Sequence, residues 1–117
     1  MSALTKEEIL GLSDVQVKLI DVPQWSEDGK TAQVYIRTIN GGERDKLEDL
    51  AFKKQFENYR SKCVACFLSD SEGNAIFAFA DVPRLAKKNA EALDLITEAG
   101  IAFNHMRQED ADSAEGN

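Results

Sequence analysis

The chain is poor in the residues on which disulfide scaffolds and metal or thiol sites depend. Its 117 residues include two cysteines, two prolines, one tryptophan and one histidine. A small secreted protein held by disulfides carries more cysteines and spreads them along the chain, whereas Cys63 and Cys66 stand three positions apart. A reducing compartment is therefore expected.

Long apolar runs and an excess of positive charge are also missing. No segment reaches the roughly 18 to 20 apolar residues of a membrane-spanning helix, and the first eight residues are polar and mixed in charge. The 14 Lys and Arg against 21 Asp and Glu give a net charge of −7, which repels nucleic acid and anionic membranes. The sequence predicts a cytoplasmic protein without a membrane or nucleic-acid partner.

Helix caps and alternating apolar residues predict the elements of the first half. Thr5 and Glu8 form a capping box for a helix over residues 6–10, which Gly11 is expected to end in the left-handed conformation. Asn40 and Glu43 repeat the pattern for a helix beginning near residue 41.

A β-hairpin is predicted between these two caps. Val15–Val22 is apolar at every second position in its first part, which predicts a strand that buries the face of Val15, Val17 and Leu19. A second strand through Val34 and Ile36 follows the polar turn.

The second half is predicted to be mainly helical. Two apolar helical stripes, one with Leu47 and one with Cys63, are separated at Lys53–Gln55. The remaining signals are a turn at 70–74, an extended stretch at 75–79, a short helix capped by Asp81, and a helix over 90–106 capped by Asn89 that buries Leu93, Ile96, Gly100 and Phe103.

Together these signals predict one α+β domain over residues 1–107, with the N-terminal hairpin packed on three to five helices. The 43% of hydrophobic residues suffices for one core. Residues 108–117 contain four acidic and no basic residues, which predicts a mobile acidic tail.

No motif predicts a catalytic residue, a metal site or a cofactor. Cys63 and Cys66 have the Cys-x-x-Cys spacing, but a zinc site needs two further ligands and a redox motif belongs at a helix N-terminus. We interpret them as buried structural thiols. His105 has no nucleophile motif to pair with, and Asp70 and Glu72 are explained by a turn.

Three aromatic residues are the candidates for contact with a partner protein. Trp25 lies where the chain leaves the first strand, and Phe77 and Phe79 lie in the apolar stretch. A core position is an equally good interpretation of each.

The order of these segments resembles the bacteriophage tail assembly chaperones over nearly the whole chain. The likeness starts with Leu4–Leu10 and a first strand ending at Val22–Trp25. The chain departs from the family at Asn40, in place of a hydroxyl cap, and in its more apolar Ala75–Ala80. The other similar segments are Val34–Arg37, Gly42–Asp45, Asp70–Phe77, Ala92–Asn104 and Glu115–Asn117.

The resemblance implies a protein of the bacterial host cytoplasm that binds the tape measure protein and keeps it soluble until the tail tube polymerises around it. Several copies per tape measure protein are implied, with self-association and contact with the tail tube protein left open. No enzymatic activity is expected.

Two other classes of function remain as alternatives. The net charge of −7 is the reason to consider an acidic stoichiometric inhibitor, a nucleic-acid mimic or an adaptor, although some of the acidic residues are concentrated in residues 108–117. The spacing of Cys63 and Cys66 is the motive for a small thiol enzyme.

Overall fold

A computed structural model describes residues 2–106, and the predicted acidic tail at 108–117 lies outside this part of the chain. The fold is of the α+β class, as predicted. Within the described residues there are three strands and five α-helices, which are α1 (Lys6–Leu10), β1 (Val17–Asp21), β2 (Gln33–Arg37), α2 (Gly41–Phe52), α3 (Tyr59–Phe67), β3 (Leu68–Ser69), α4 (Val82–Leu85) and α5 (Ala90–Phe103).

The strands form one antiparallel sheet in the order β1-β2-β3. The predicted hairpin of β1 and β2 is confirmed, with Val17 opposite Arg37 and Asp21 opposite Gln33. The short third strand, which pairs with β2, was not predicted. Its two residues follow directly on the apolar end of α3 and carry no alternation of their own.

The prediction of the buried face of the first strand was wrong. β1 is shorter than Val15–Val22, and Leu19 is 45% exposed. The core side of the strand is the opposite one, since Val22 is fully buried and Ile20 packs partly against the core. Apolar residues occur on both faces of this segment, at 15, 17 and 19 and at 20 and 22, so alternation predicts the strand without deciding which face is covered.

Most of the predicted helix starts are confirmed. Thr5 and Glu8, and likewise Asn40 and Glu43, form reciprocal capping boxes, and the Asn89 side chain accepts a hydrogen bond from the Ala92 N–H at 3.0 Å. Each side chain thereby satisfies a backbone N–H that has no partner inside its helix.

Three details of the helices differ from the predictions. Gly11 ends α1 with an ordinary negative φ of −87° and not in the left-handed region. The Asp81 carboxylate does not cap α4 but accepts a hydrogen bond from the upstream Ala78 N–H at 2.8 Å. The last helix ends at Phe103, earlier than residue 106.

The break predicted at Lys53–Gln55 separates α2 from α3. Two residues of the connecting segment, Lys54 and Asn58, adopt left-handed φ angles of 57° and 53°, which reverses the chain direction at the cost of some backbone strain. Phe56 lies in this connection and packs edge-to-face on Tyr59 with ring centres 5.8 Å apart.

The core joins the inner face of the sheet to α3, α4 and α5. Its larger part contains Ile36, Val64 and Ile96, and an adjoining part surrounds Phe67 and Leu47. The predicted stripe of α5 is confirmed, because Leu93, Ile96 and Gly100 are buried and Phe103 is partly so. No helix among residues 2–106 is long and apolar enough to cross a membrane.

Candidate protein-binding surface

Trp25 and Phe77 meet in one open groove of about 410 Å³, although 52 positions separate them in the sequence. We call it the Trp25 groove. Both rings are half-buried and pack against the larger part of the core. The other residues that line the groove are Gln24, Ser26, Glu27, Leu85 and Lys88.

A turn of 3-10 helix at Pro23–Trp25 positions the indole at the end of β1. Proline suits its first position because the ring fixes φ and no N–H is needed there. The Trp25 N–H donates to the carbonyl oxygen of Val22 at 3.0 Å, and the Ser26 hydroxyl accepts from the Ala32 N–H at 2.9 Å. These bonds fix the loop that carries Trp25 to the neighbouring strand.

Phe77 is positioned by the turn predicted at residues 70–74. The Asp70 carboxylate accepts hydrogen bonds from the N–H groups of Glu72 at 2.8 Å and Asn74 at 3.0 Å, and these bonds lower the pKa of that carboxyl group. Gly73 adopts a φ of +88°, which favours glycine. Ala75 then pairs with Ser69, so the chain leaves the turn extended.

Phe79 does not line the Trp25 groove. Its half-buried ring packs against both parts of the core, and the Lys46 ammonium lies 4.3 Å from the ring centre. This cation–π contact covers one face of the ring. The structure therefore brings two of the three candidate residues together and gives the third a place between core and solvent.

Two groove residues were missed by the sequence analysis. Leu85 lies in the groove as a nearly buried side chain of α4, and Lys88 lies on its rim. The short helix at residues 82–85 was predicted, but nothing in its sequence indicates which loop it packs beside. Ile76, next to Phe77, is 53% exposed and was also not singled out.

A second apolar surface extends from the segment before the hairpin into β1 and was not predicted to be exposed. Of the eight large apolar side chains in residues 2–106 that are more than a third exposed, six belong to residues 4–19. We call them the N-terminal strip: Leu4, Ile9, Leu10, Leu12, Val15 and Leu19. A larger cleft of about 720 Å³ runs between Leu12–Gln16 and the loop at Ile39, with a mixed polar and apolar lining.

Cys63 and Cys66 are buried in α3, as predicted, and their thiols are free. Burial raises the pKa of Cys63 to about 12, although a hydrogen bond from Tyr59 lowers it and so offsets part of the rise. Burial, followed by the nearby Glu43 carboxylate, raises the pKa of Cys66 to about 11. Both thiols therefore remain protonated and poorly nucleophilic near neutral pH.

Arg37 beside these thiols was not predicted to be buried. Its Nε donates to the Cys66 carbonyl oxygen at 2.9 Å, and its guanidinium forms an ion pair with Glu43 at 2.5 Å. The guanidinium thus links β2, the first turn of α2 and the end of α3. Because these bonds engage the guanidinium inside the protein, we assign it a structural role.

The remaining candidates for chemistry stay apart from one another. His105 is exposed just beyond α5, and Asp70 and Glu72 belong to the turn. Within residues 2–106, no three His, Cys, Asp or Glu side chains are grouped closely enough to hold a metal ion.

Comparison of the chain with protein-family models, with curated proteins and with solved structures finds no match in any of the three.

Proposed function

We propose that this protein is a phage tail assembly chaperone that binds the tape measure protein in the bacterial host cytoplasm and keeps it soluble before the tail tube forms. The observation that carries the proposal is the Trp25 groove, in which two aromatic side chains from distant parts of the sequence form one open apolar surface. The resemblance of the segment order to that chaperone family supplies the identity of the client.

The groove suits an apolar side chain of a helical client. Trp25, Phe77 and Leu85 form the apolar part of its lining. Aromatic residues in such positions contribute a large share of binding free energy because they bury a large area with few rotatable bonds. A helix that presents an apolar residue every three to four positions would place one such residue into the groove.

The charges on the rim do not favour the acidic inhibitor or mimic. Glu27 and Lys88 line the same groove and carry opposite charges. A surface that imitates a phosphate backbone needs a row of acidic groups without cations between them. Opposite charges around an apolar centre are typical of the polar rim of a protein-binding site.

Several copies per client follow from the size of the groove. A single groove covers only a short part of a long helix, and every other apolar stripe remains exposed to aggregation. Many weak contacts along one client also allow the tail tube subunits to displace the chaperone copy by copy. The client therefore needs a series of chaperone molecules and not one tight complex.

A pair of matched substitutions tests where the client binds. Gln24 lies exposed in the groove and Gln55 lies exposed outside it. Gln24→Glu adds a charge where an apolar side chain of the client docks, and should weaken binding of the co-expressed tape measure protein by about tenfold. Gln55→Glu adds the same charge elsewhere and should leave binding unchanged. Both are measured by co-elution on size exclusion, after thermal melts show equal stability.

Equal co-elution of the two variants would place the client on another surface. Failure of the wild-type chain to co-elute with the client would contradict the chaperone function itself. In that case, a pull-down with this chain as the bait would show whether it binds a different protein, as an acidic inhibitor or an adaptor would.

A further inference from the structure

The N-terminal strip concentrates apolar exposure in one continuous segment. Leu10 is 75% exposed, and the other five side chains are between 36% and 55% exposed. Together the six expose on the order of 500 Å² of apolar surface, as much as the largest patch on an ordinary monomer. Such a patch commonly marks an interaction surface.

Helix α1 has both hydrogen bonds of its capping box, but none of its residues is buried. It contains only five residues. Isolated helices shorter than about 12 residues are marginal in water, and helices in proteins gain most of their stability by packing an apolar face. The rest of residues 2–106 does not bury this helix, so its apolar side chains are open to a partner.

The strand next to the strip has a free edge. β1 pairs with β2 on one side, and its other edge is unpaired among the described residues. Thr38 N–H donates to the Gln16 oxygen and Val22 N–H donates to the Ala32 oxygen, each at 2.8 Å. Since antiparallel strands alternate, residues 18 and 20 also face β2, while Val17, Leu19 and Asp21 direct their N–H and C=O groups outward.

The free edge of β1 favours a strand over a helix as its partner. A helical client satisfies its own backbone groups and offers nothing to the outward N–H and C=O groups, whereas a strand pairs with all of them. β1 of a second copy is such a strand, and its outward residues have the same spacing. The strip ends within β1, at Leu19, so one neighbour is able to cover both the strip and the strand edge.

We propose that two copies of this chain form a two-fold dimer through the outer edges of their β1 strands, centred on Leu19. In this register Leu19 pairs with the same residue of the other copy, and Val17 pairs with Asp21. Each of these pairs exchanges two backbone hydrogen bonds, which joins the sheets across the interface.

The register is also compatible with the charges at the edge. Lys18 lies beside Ile20 of the other copy and not beside a second Lys18, which a pairing centred one residue earlier would impose. Like charges directly opposite destabilise a strand pair. Residues 4–16 of each copy then run past the end of the other copy's β1.

Specific interfaces bury roughly 800 Å² per partner. The paired strands alone would not reach that area, so the dimer is expected to cover the strip as well. The dimer presents two Trp25 grooves and would increase avidity for a client with repeated stripes. The inference does not depend on the proposed function, because it concerns the chain without a client.

The test measures the mass of the purified full chain alone by light scattering after size exclusion. Wild type is expected at twice the chain mass of 13.0 kDa at concentrations of tens of micromolar. Leu19→Glu places two carboxylates together at the two-fold axis and should raise the dissociation constant at least about tenfold. Phe52→Glu changes a side chain that is 80% exposed outside the strip, and should leave the dimer intact.

Amide hydrogen exchange on wild type gives a second readout that needs no substitution. The outward amides of Val17, Leu19 and Asp21 should be protected at high concentration and lose protection on dilution, while the inward amides of Lys18 and Ile20 stay protected. A monomeric wild-type protein at all concentrations, or a dimer in which the outward amides exchange freely, would overturn the proposal.

Discussion

Gly100 of α5 lies directly against the ring of Phe67, and a Cβ atom at position 100 would overlap that ring. Phe67 is fully buried at the end of α3, where it has no room to move away. The absence of a side chain at Gly100 thus determines how closely α5 approaches α3. This approach also fixes the end of α5 beside β2.

Gly100→Ala should destabilise the fold by about 1 to 3 kcal/mol, because overpacking of a filled core outweighs the better helix propensity of alanine. Gly41→Ala is the matched control, since a Cβ atom there meets nothing within 4 Å. Urea unfolding of both variants measures the difference. Equal stability of the two would show that the α3–α5 contact is looser than described.

Asn104 joins the end of α5 to the segment after β2. Its Oδ1 accepts from the Ile39 N–H at 2.8 Å, and its Nδ2 donates to the carbonyl oxygens of Arg37 at 3.1 Å and Gly100 at 2.9 Å. Asn104→Ala removes all three bonds and should cost about 1 to 3 kcal/mol. Asn104→Asp keeps the acceptor for Ile39 but turns a carboxylate oxygen towards two carbonyl oxygens at the C-terminus of α5, so it should cost more than Asn104→Ala, as thermal unfolding would reveal. The reverse order would contradict this assignment.

Replacing both thiols tests their structural role. Cys63→Ala combined with Cys66→Ala should lower the free energy of unfolding by about 1 to 3 kcal/mol in total, because each change leaves a small void in the core. Client binding should remain unchanged. Stoichiometric zinc in the wild-type protein, measured by elemental analysis, would contradict a purely structural role.

The same thiols predict how stability depends on alkaline pH. Their folded pKa values of about 12 and about 11 lie above the ordinary value of 9.0. Above pH 9 the unfolded chain therefore binds fewer protons than the folded one, and stability falls as pH rises towards the folded values. Burial raises the pKa of Tyr59 too, so Tyr59→Phe serves as a control for the contribution of Tyr59 to the pH dependence. Between pH 7 and 10.5, the free energy of unfolding measured in urea should fall less steeply in the double alanine variant than in wild type. Parallel curves for the two proteins would contradict the assignment.

Local signals in the sequence predicted most elements of the fold. Reciprocal caps such as Thr5 with Glu8 act within one turn of helix, so their chemistry is readable without the tertiary structure. The buried face of β1 was not readable in this way. Apolar residues lie on one face at 15, 17 and 19 and on the other at 20 and 22, and only packing into the core decides which face is covered.

The candidate site was predictable only in part. An isolated tryptophan after a strand and a phenylalanine after a turn are visible in the sequence, and both line the groove. Their meeting depends on the local bridge from Ser69 to Ala75 and on the pairing of β2 with β3, which joins residues more than 30 positions apart. The exposure of the N-terminal strip was missed because a capped, apolar helix normally indicates burial.

We propose that this protein keeps a tape measure protein soluble by direct binding. The most direct measurement is the soluble fraction of the tape measure protein of the same genome, expressed with wild type, with Gln24→Glu, with Gln55→Glu and without this chain. We expect wild type and Gln55→Glu to raise the soluble fraction and to co-elute with the client in several copies, and Gln24→Glu to do so much less. A client that is equally soluble alone and never co-elutes with this chain would contradict the account.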